Sequence, residues 1–325
     1  MSSKKVSFEN ALKNNFIKKF DYNKFENIER IAEGGFGIVY RANSLNLRKH
    51  VALKSLLETD EIFYEKFVKE LTNILAVNYH DNIIKFYGIS IDPSTETYYL
   101  VLQYAKDGDL RTYLQNNFNR LDWKIKIQMA KDITNGLDCI HEENIVHRDL
   151  HSKNILVHEG SLLITDLGLS QSLDTNSNSF KGGILAYSDP GYLRNPFIYK
   201  RIVNGERENP INGTPKDYIN IYSNAWKDNP NQRPTIGNIF DSLENIKLEN
   251  IYNDPNDNQE AYINNQSQAS IDIFSKDSVS FPSFTTSNWG KFTEVSQGSI
   301  ENIKDHVPDK TLIDLANLEI TGRKY

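Results

Sequence analysis

Residues 145–157 read IVHRDLHSKNILV: hydrophobic residues flank a core that is almost entirely hydrogen-bonding groups. His147, Arg148, Asp149, Lys153 and Asn154 all fall in one short loop. Folding such a loop beside a core costs solvation energy, so it needs an offsetting use. For most polar runs a solvated surface turn is explanation enough. What else the chain carries decides the matter.

Outward from that loop, the pattern changes character twice. Upstream, FENIERIAEGGFGIVYRA (25–42) reads as strand, glycine turn, strand, and HVALKSL (50–56) as a third strand. YEKFVKELTNILAVN (64–78) sets Phe67, Leu71, Ile74 and Leu75 at helical spacing. NIIKFYGIS (82–90) and TYYLVLQYA (97–105) read as two more strands. Beyond a linker near residues 104–109, LRTYLQNNF (110–118) and WKIKIQMAKDITNGLDCIHEE (123–143) read as helices. Short strands follow the loop at ILVHEG (155–160) and SLLITDL (161–167), then helices at KDYINIYSNAWKD (216–228) and TIGNIFDSLENI (235–246). A strand-rich part followed by a helix-rich part is α+β in two lobes, not alternating βαβ units.

The expected divisions are a polar N-terminal extension over 1–24 with a helical option, a small lobe over 25–104, a helical lobe over 105–249, and a tail over 250–325. That tail, rich in Asn, Ser, Asp, Gln and Thr, is expected to be disordered and is a candidate docking segment for a protein partner.

Composition excludes several classes. The net charge of −6 over 325 residues argues against a nonspecific nucleic-acid binder. A single cysteine, Cys139, leaves no intrachain disulfide and no cysteine zinc cluster, and fits a reducing compartment. No signal-peptide core is seen, and no run of about 18 apolar residues predicts a membrane span. The cytoplasm, with the nucleus as a second compartment, is the expected location.

Three further features bear on chemistry. AEGGFG (32–37) lies between two strands, where backbone N–H groups can fold over phosphates. VALK ends at Lys54, and a lysine that neutralises phosphate needs a carboxylate to hold it; Glu70 on the next helix is the candidate. In ITDLGLS (164–170), Asp166 follows a strand, and Asn154 follows a neighbouring turn. A carboxylate and an amide oxygen make a hard-oxygen site that suits Mg²⁺ shared with phosphates. Asp149 can then accept the proton of an incoming hydroxyl, with Lys153 near the transferring phosphoryl group.

In this order and spacing the chain resembles a eukaryotic protein kinase: glycine-rich loop, VALK, helix glutamate, hinge, HRDLHSKN, TDLG, and late NPNQRP (229–234). The resemblance covers about residues 25–246 and is closest in style to the tyrosine-kinase-like group. It implies ATP and Mg²⁺ as cofactors and protein hydroxyls as acceptors. It implies Asp149 as catalytic base and Asn154 with Asp166 as metal ligands. Lys54 would grip the α- and β-phosphates, paired with Glu70. Ala32, Gly34, Gly35 and Gly37 would form the phosphate loop. Leu102 matches the gatekeeper and Gln103 to Ala105 the adenine-binding hinge, with Val39, Ala52 and Leu156 around the adenine. Arg148 would meet a phosphate on Thr175, Ser177 or Ser179. The acceptor hydroxyl is ambiguous: serine/threonine kinases place a lysine where this chain has His151, whereas Lys153 is closer to a tyrosine-kinase arrangement; the overall style of the resemblance favours serine/threonine, with tyrosine as the alternative.

Four departures qualify the resemblance. Ala32 replaces the first loop glycine, Leu167 replaces a phenylalanine, and Gly191 stands where a glutamate pairs with the late arginine, here Arg233. The fourth is large. After GYLRNPFIYK (191–200) the family continues into its buried F helix, but this chain passes to RIVNGERENPI (201–211), which resembles the following G helix. Roughly forty family positions are missing, more than a loop-length change. Each buried side chain lost is worth about 1.5–3 kcal/mol, against a total stability of about 5–15 kcal/mol. The helices after the gap are therefore expected to be displaced or loosely packed. The alternative to an active enzyme is a pseudokinase-like scaffold or an inactive shortened variant.

Overall fold

The computed structural model describes residues 17–34, 37–55, 61–172, 210, 213–227 and 229–247. The first of these build one sheet. Its strands are β1 (Lys19–Asp21), β2 (Phe25–Gly34), β3 (Gly37–Ser44), β4 (Lys49–Ser55), β5 (Phe86–Ile91) and β6 (Tyr98–Gln103), in the order β1-β5-β6-β4-β3-β2. Neighbours are antiparallel except β1, which runs parallel to β5.

Because side chains alternate along a strand, each face has its own set. On one face Phe20, Phe25, Ala42, Val51, Leu53, Tyr99 and Val101 form a buried cluster. The residues between them on the central strands, Ala52 and Lys54 on β4, point to the other face. There they pair in register with Leu102 and Leu100 of β6. Helix α1 (Glu61–Val77) brings a buried stripe of Phe67, Glu70, Leu71, Ile74 and Val77 at helical spacing.

Strand β1 lies where the sequence suggests only a polar lead. Its three residues carry one apolar side chain, so periodicity has nothing to show. Tertiary contacts hold it instead: Phe20 is buried, Ser90 Oγ donates to Phe20 O at 3.0 Å, and the Ile89 N–H donates to Lys18 O at 2.9 Å. Lys18 O also lies 2.1 Å from where a Cβ on Gly88 would sit, and Gly88 has φ +150°, so only glycine lets β1 dock.

The helical part starts at α2 (Leu110–Asn117), capped by the Asp109 carboxylate on Thr112 N, and continues through α3 (Trp123–Glu142), capped by Asp122 on Ile125 N. Short strands follow: β7 (Ile145–Val146), β8 (Ile155–His158), β9 (Ser161–Ile164) and β10 (Gln171–Ser172). β8 and β9 form a hairpin whose turn, Glu159 and Gly160, has φ of 52° and 85°. Positive φ at both central turn residues matches strand twist. α3 approaches β9 closely at Gly136, where a Cβ would lie 2.9 Å from both Asn82 O and Ile164 Cδ1.

Helices α4 (Lys216–Ala225) and α5 (Ile236–Glu244) are not loosely packed. Tyr218, Ala225, Ile239 and Leu243 are buried, and the rings of Trp123, Tyr218, Tyr222 and Trp226 follow one another at 5.4, 6.1 and 5.1 Å. Lys131 of α3 pairs with Glu244 of α5 at 2.9 Å. The expectation overlooked this aromatic contact, which joins α4 to the start of α3 directly. Arg233 is buried, and its Nε donates to Lys227 O at 2.6 Å. Gly191, the G-like stretch over 201–211 apart from Pro210, residues 1–16 of the N-terminal extension and the tail from residue 248 lie outside the described residues.

Candidate active site

The site starts with a triad in which the lysine and the glutamate are buried and the aspartate is part-buried. Lys54 Nζ lies 2.7 Å from Glu70 Oε1 and 3.0 Å from Asp166 Oδ1. Three elements meet there: β4 supplies the lysine, α1 the glutamate, and the turn after β9 the aspartate. Asp166 has φ 65° and ψ 68°, a left-handed conformation uncommon for a non-glycine residue. Gly168 follows closely; a Cβ on it would lie 3.2 Å from Glu70 Oε2 and 3.4 Å from Asp166 Oδ1. Leu167 is buried, and Asn73 of α1 donates to its carbonyl at 3.4 Å.

Charge balance follows from this geometry. Burial pushes the Lys54 ammonium down, but Asp166 and Glu70 outweigh it and hold the group above the usual lysine value. Burial also raises Asp166, but Lys54 prevails and holds it below the ordinary aspartate range. Glu70 stays raised, by burial and then by the Asp166 charge, against the pull of Lys54. One cation between two carboxylates leaves the more buried one under-compensated.

The quoted loop lies beside the triad. His147 is fully buried; its Nδ1 accepts the Asp149 N–H at 3.3 Å and its Nε2 faces Thr165 O at 2.8 Å. A carbonyl only accepts, so Nε2 carries the hydrogen. Asn154 Nδ2 donates to Asp149 O at 2.9 Å and to Asp149 Oδ2 at 3.2 Å, while the Thr165 N–H donates to Asn154 O at 3.0 Å. The loops carrying Asp149, Asn154 and Asp166 are thus stitched into one unit. Its footing is the pairing of Ile164 with the stretch before β5: Ile84 N donates to Ile164 O at 2.9 Å and Ile164 N to Asn82 O at 2.8 Å.

The remaining sequence candidates fall around this unit. Ala32 pairs with Val39, and Val39 with Lys54, across β2, β3 and β4. Gly34 and Gly37 are opposite each other at the β2–β3 turn; Gly35 lies outside the described residues. Ala52 and Leu102 are register partners, buried on the face that bears Lys54. Gln103 N donates to Lys85 O at 2.8 Å, and Ala105 is buried just beyond. Leu156 of β8 pairs with Leu163 and bridges to Asp109. Lys153 is exposed, and Arg148 has φ 70°. Thr175, Ser177 and Ser179 lie outside the described residues.

Sequence reasoning gave His151 no role, yet its Nε2 is 3.6 Å from Asp149 Oδ2. Its place two residues after Asp149 was the available signal.

The donor set fits a cation that shares its ligands. Among the described residues no three His, Cys, Asp or Glu side chains group to hold a metal. A cation at Asp166 and at the Asn154 amide oxygen would draw its other oxygens from a phosphate or water. Two protein oxygens plus phosphate oxygens is the manner of Mg²⁺. No helix among the described residues is long and apolar enough to cross a membrane.

The model of the family described as protein tyrosine and serine/threonine kinase matches residues 25–188. A probable serine/threonine-protein kinase of Dictyostelium discoideum is 33% identical over 168 residues, covering 50% of this chain and 18% of that one. LIM domain kinase 1 of Drosophila melanogaster is 32% identical over 147 residues, covering 45% and 12%. A fibroblast growth factor receptor of Hydra vulgaris is 26% identical over 285 residues, covering 70% and 34%. The chain thus spans about a third or less of these relatives' own length. In the Hydra match, 285 aligned positions exceed what 70% of a 325-residue chain supplies. Within the matched span that receptor therefore carries tens of residues with no counterpart here.

Proposed function

The chain belongs to the protein tyrosine and serine/threonine kinase family, and from that membership we propose that it transfers the γ-phosphoryl group of ATP to serine or threonine hydroxyls of proteins. The observation that carries the reading is the Lys54–Glu70–Asp166 triad beside Asp149 and Asn154. Lys54, positioned by Glu70, offsets charge on the α- and β-phosphates. Ala32, Gly34, Gly35 and Gly37 cover the phosphates with backbone N–H groups. Val39, Ala52, Leu102 and Leu156 surround the adenine, and the backbone of Gln103 to Ala105 meets its edge. Asp149 takes the proton of the acceptor hydroxyl as its oxygen bonds to the γ-phosphorus. The bond from that phosphorus to the bridging oxygen breaks, and ADP leaves with the electron pair. Lys153 lies on the solvent side of the loop, where it offsets charge on the transferring group. Asn154 and Asp166 would hold Mg²⁺, which supplies charge neutralisation at the phosphates.

Serine or threonine is favoured over tyrosine by the likeness to the Dictyostelium probable serine/threonine-protein kinase and to a probable receptor-like serine/threonine-protein kinase of Arabidopsis thaliana, 32% identical over 191 residues. Arg148 and a phosphate on Thr175, Ser177 or Ser179 would form the regulatory pair. A cytoplasmic or nuclear location, and a protein partner for the tail, belong to the same reading.

A second reading is a scaffold that binds nucleotide without turnover. The segment expected to be missing after Lys200, where GYLRNPFIYK passes to RIVNGERENPI, is what favours it.

The two readings separate in one set of assays. Nucleotide with Mg²⁺ should raise the melting temperature under either. Phosphate transfer to a generic substrate should appear only under the first, and should fall by orders of magnitude in Asp149→Asn and Lys54→Met. Binding with no transfer in the wild type, and transfer gained on inserting a relative's segment between Lys200 and Arg201, would establish the second. Equal transfer by wild type and both variants would mean a contaminating kinase.

A further inference from the structure

His151 Nδ1 accepts the Lys153 N–H at 3.2 Å. A ring nitrogen that accepts carries no proton, so the hydrogen of the neutral imidazole sits on Nε2. That nitrogen lies 3.6 Å from Asp149 Oδ2, and both side chains are buried. Asn154 Nδ2 donates to the same oxygen at 3.2 Å. Oδ2 thus has one bonded donor, Asn154, and a second N–H just beyond bonding distance. At 3.6 Å the histidine is short of a hydrogen bond, and a small turn of the ring closes it. Contacts of this kind often tighten only when substrate arrives.

We propose that His151 is a positioning residue for Asp149: held in its Nε2–H tautomer by the Lys153 backbone, it fixes Oδ2 together with Asn154 and presents Oδ1 to the acceptor hydroxyl. The inference rests on Asp149 being the base. It also separates two duties that a lysine at this position would combine. A neutral donor orients the carboxylate, and the exposed Lys153 keeps the cation for the phosphoryl group.

Three substitutions distinguish this role from bulk packing. His151→Gln places an amide N–H where Nε2–H stands, His151→Asn places its amide on the Nδ1 side, and His151→Phe keeps a ring without a donor. In the full chain, kcat should fall roughly 10- to 100-fold for Asn and Phe with KM for ATP unchanged, and Gln should recover most of the loss. Should Phe fail to melt cooperatively, the Gln and Asn pair carries the comparison. Independently of turnover, long-range ¹⁵N–¹H spectra of the histidine rings should show the Nε2–H form for His151, with its resonances shifted in Asp149→Asn. A wild type without transfer would sink the enzyme reading but leave this spectrum to decide the contact. An Nδ1–H tautomer, resonances indifferent to Asp149→Asn, or equal kcat for Asn and Gln variants would overturn the proposal.

Discussion

Lys54 and Asp166 stand 112 positions apart in the chain and 3.0 Å apart in space. Their bond ties the face of the six-stranded sheet to the turn after β9, with Glu70 closing the triangle. The lysine therefore has two carboxylates, while each carboxylate depends on one lysine.

That asymmetry predicts unequal costs. Glu70→Ala should destabilise the chain by about 3 kcal/mol, the low end for breaking a buried pair, because Asp166 still faces the ammonium. Lys54→Met leaves two carboxylates together and should cost more at neutral pH. In that variant burial and the Asp166 charge raise Glu70 unopposed. The folded form then holds a proton that the unfolded chain releases, so stability should be retained at acid pH and fall as pH rises. Urea titrations at several pH values check both points. Equal losses for the two variants would contradict the arrangement.

Burial holds the His141 imidazole below the ordinary histidine value of 6.5, with Asp138 opposing and the neighbouring His147 reinforcing the shift. The unfolded chain takes up a proton near 6.5 that the folded chain refuses. Stability from this group is therefore full above that value and declines as pH drops through it toward the lower folded value. His141→Gln should flatten the fall in melting temperature between about pH 7 and pH 5. Half-buried His80, also lowered by burial, should keep part of the slope in that variant. An unchanged slope would assign the effect elsewhere.

Gly136→Ala tests the seat of α3 on β9. In an open helix the change would gain about 1 kcal/mol. Here the new methyl would meet Asn82 O and Ile164 Cδ1 at 2.9 Å, so the variant should instead lose about 1–3 kcal/mol, as overpacking does. Ile164 leads directly into Thr165 and Asp166, so nucleotide affinity should fall with stability. A melting temperature at or above that of the wild type would refute the close approach.

Gly88→Ala should cost about 1–3 kcal/mol, from the strained φ and from the clash with Lys18 O. Deleting residues 1–21 beforehand should shrink that cost, since the clash goes and only the backbone strain stays. Equal costs in the two backgrounds would show that β1 does not press on Gly88.

Much of this was open to sequence reading for identifiable reasons. Glu70 falls at helical spacing with Phe67, Leu71 and Ile74, so a carboxylate on the buried stripe of α1 was the candidate partner for the lysine that ends VALK. Asp166 was marked by its position after an apolar strand and before a glycine. β1 was hidden because KFD has too little pattern, and its parallel partner is some seventy positions away by register, Phe20 opposite Ser90. The tautomer of His151 was hidden too, since it depends on a backbone N–H reached only after the loop has turned. The packing of α4 and α5 was misjudged because the family positions expected to be missing were weighed, and the run of aromatic rings from Trp123 to Trp226 was not.

That run of rings bears on how far the helices depend on the length of the chain between them. The helices it joins, α3, α4 and α5, make their contacts with one another through Trp123, Tyr218 and the Lys131–Glu244 pair, so the ends of the intervening stretch are anchored whatever its length. Between fixed ends, halving or doubling a connection changes closure entropy by only about 0.6 kcal/mol. The contacts among these helices are therefore expected to survive a change in the length of that connection, in either direction.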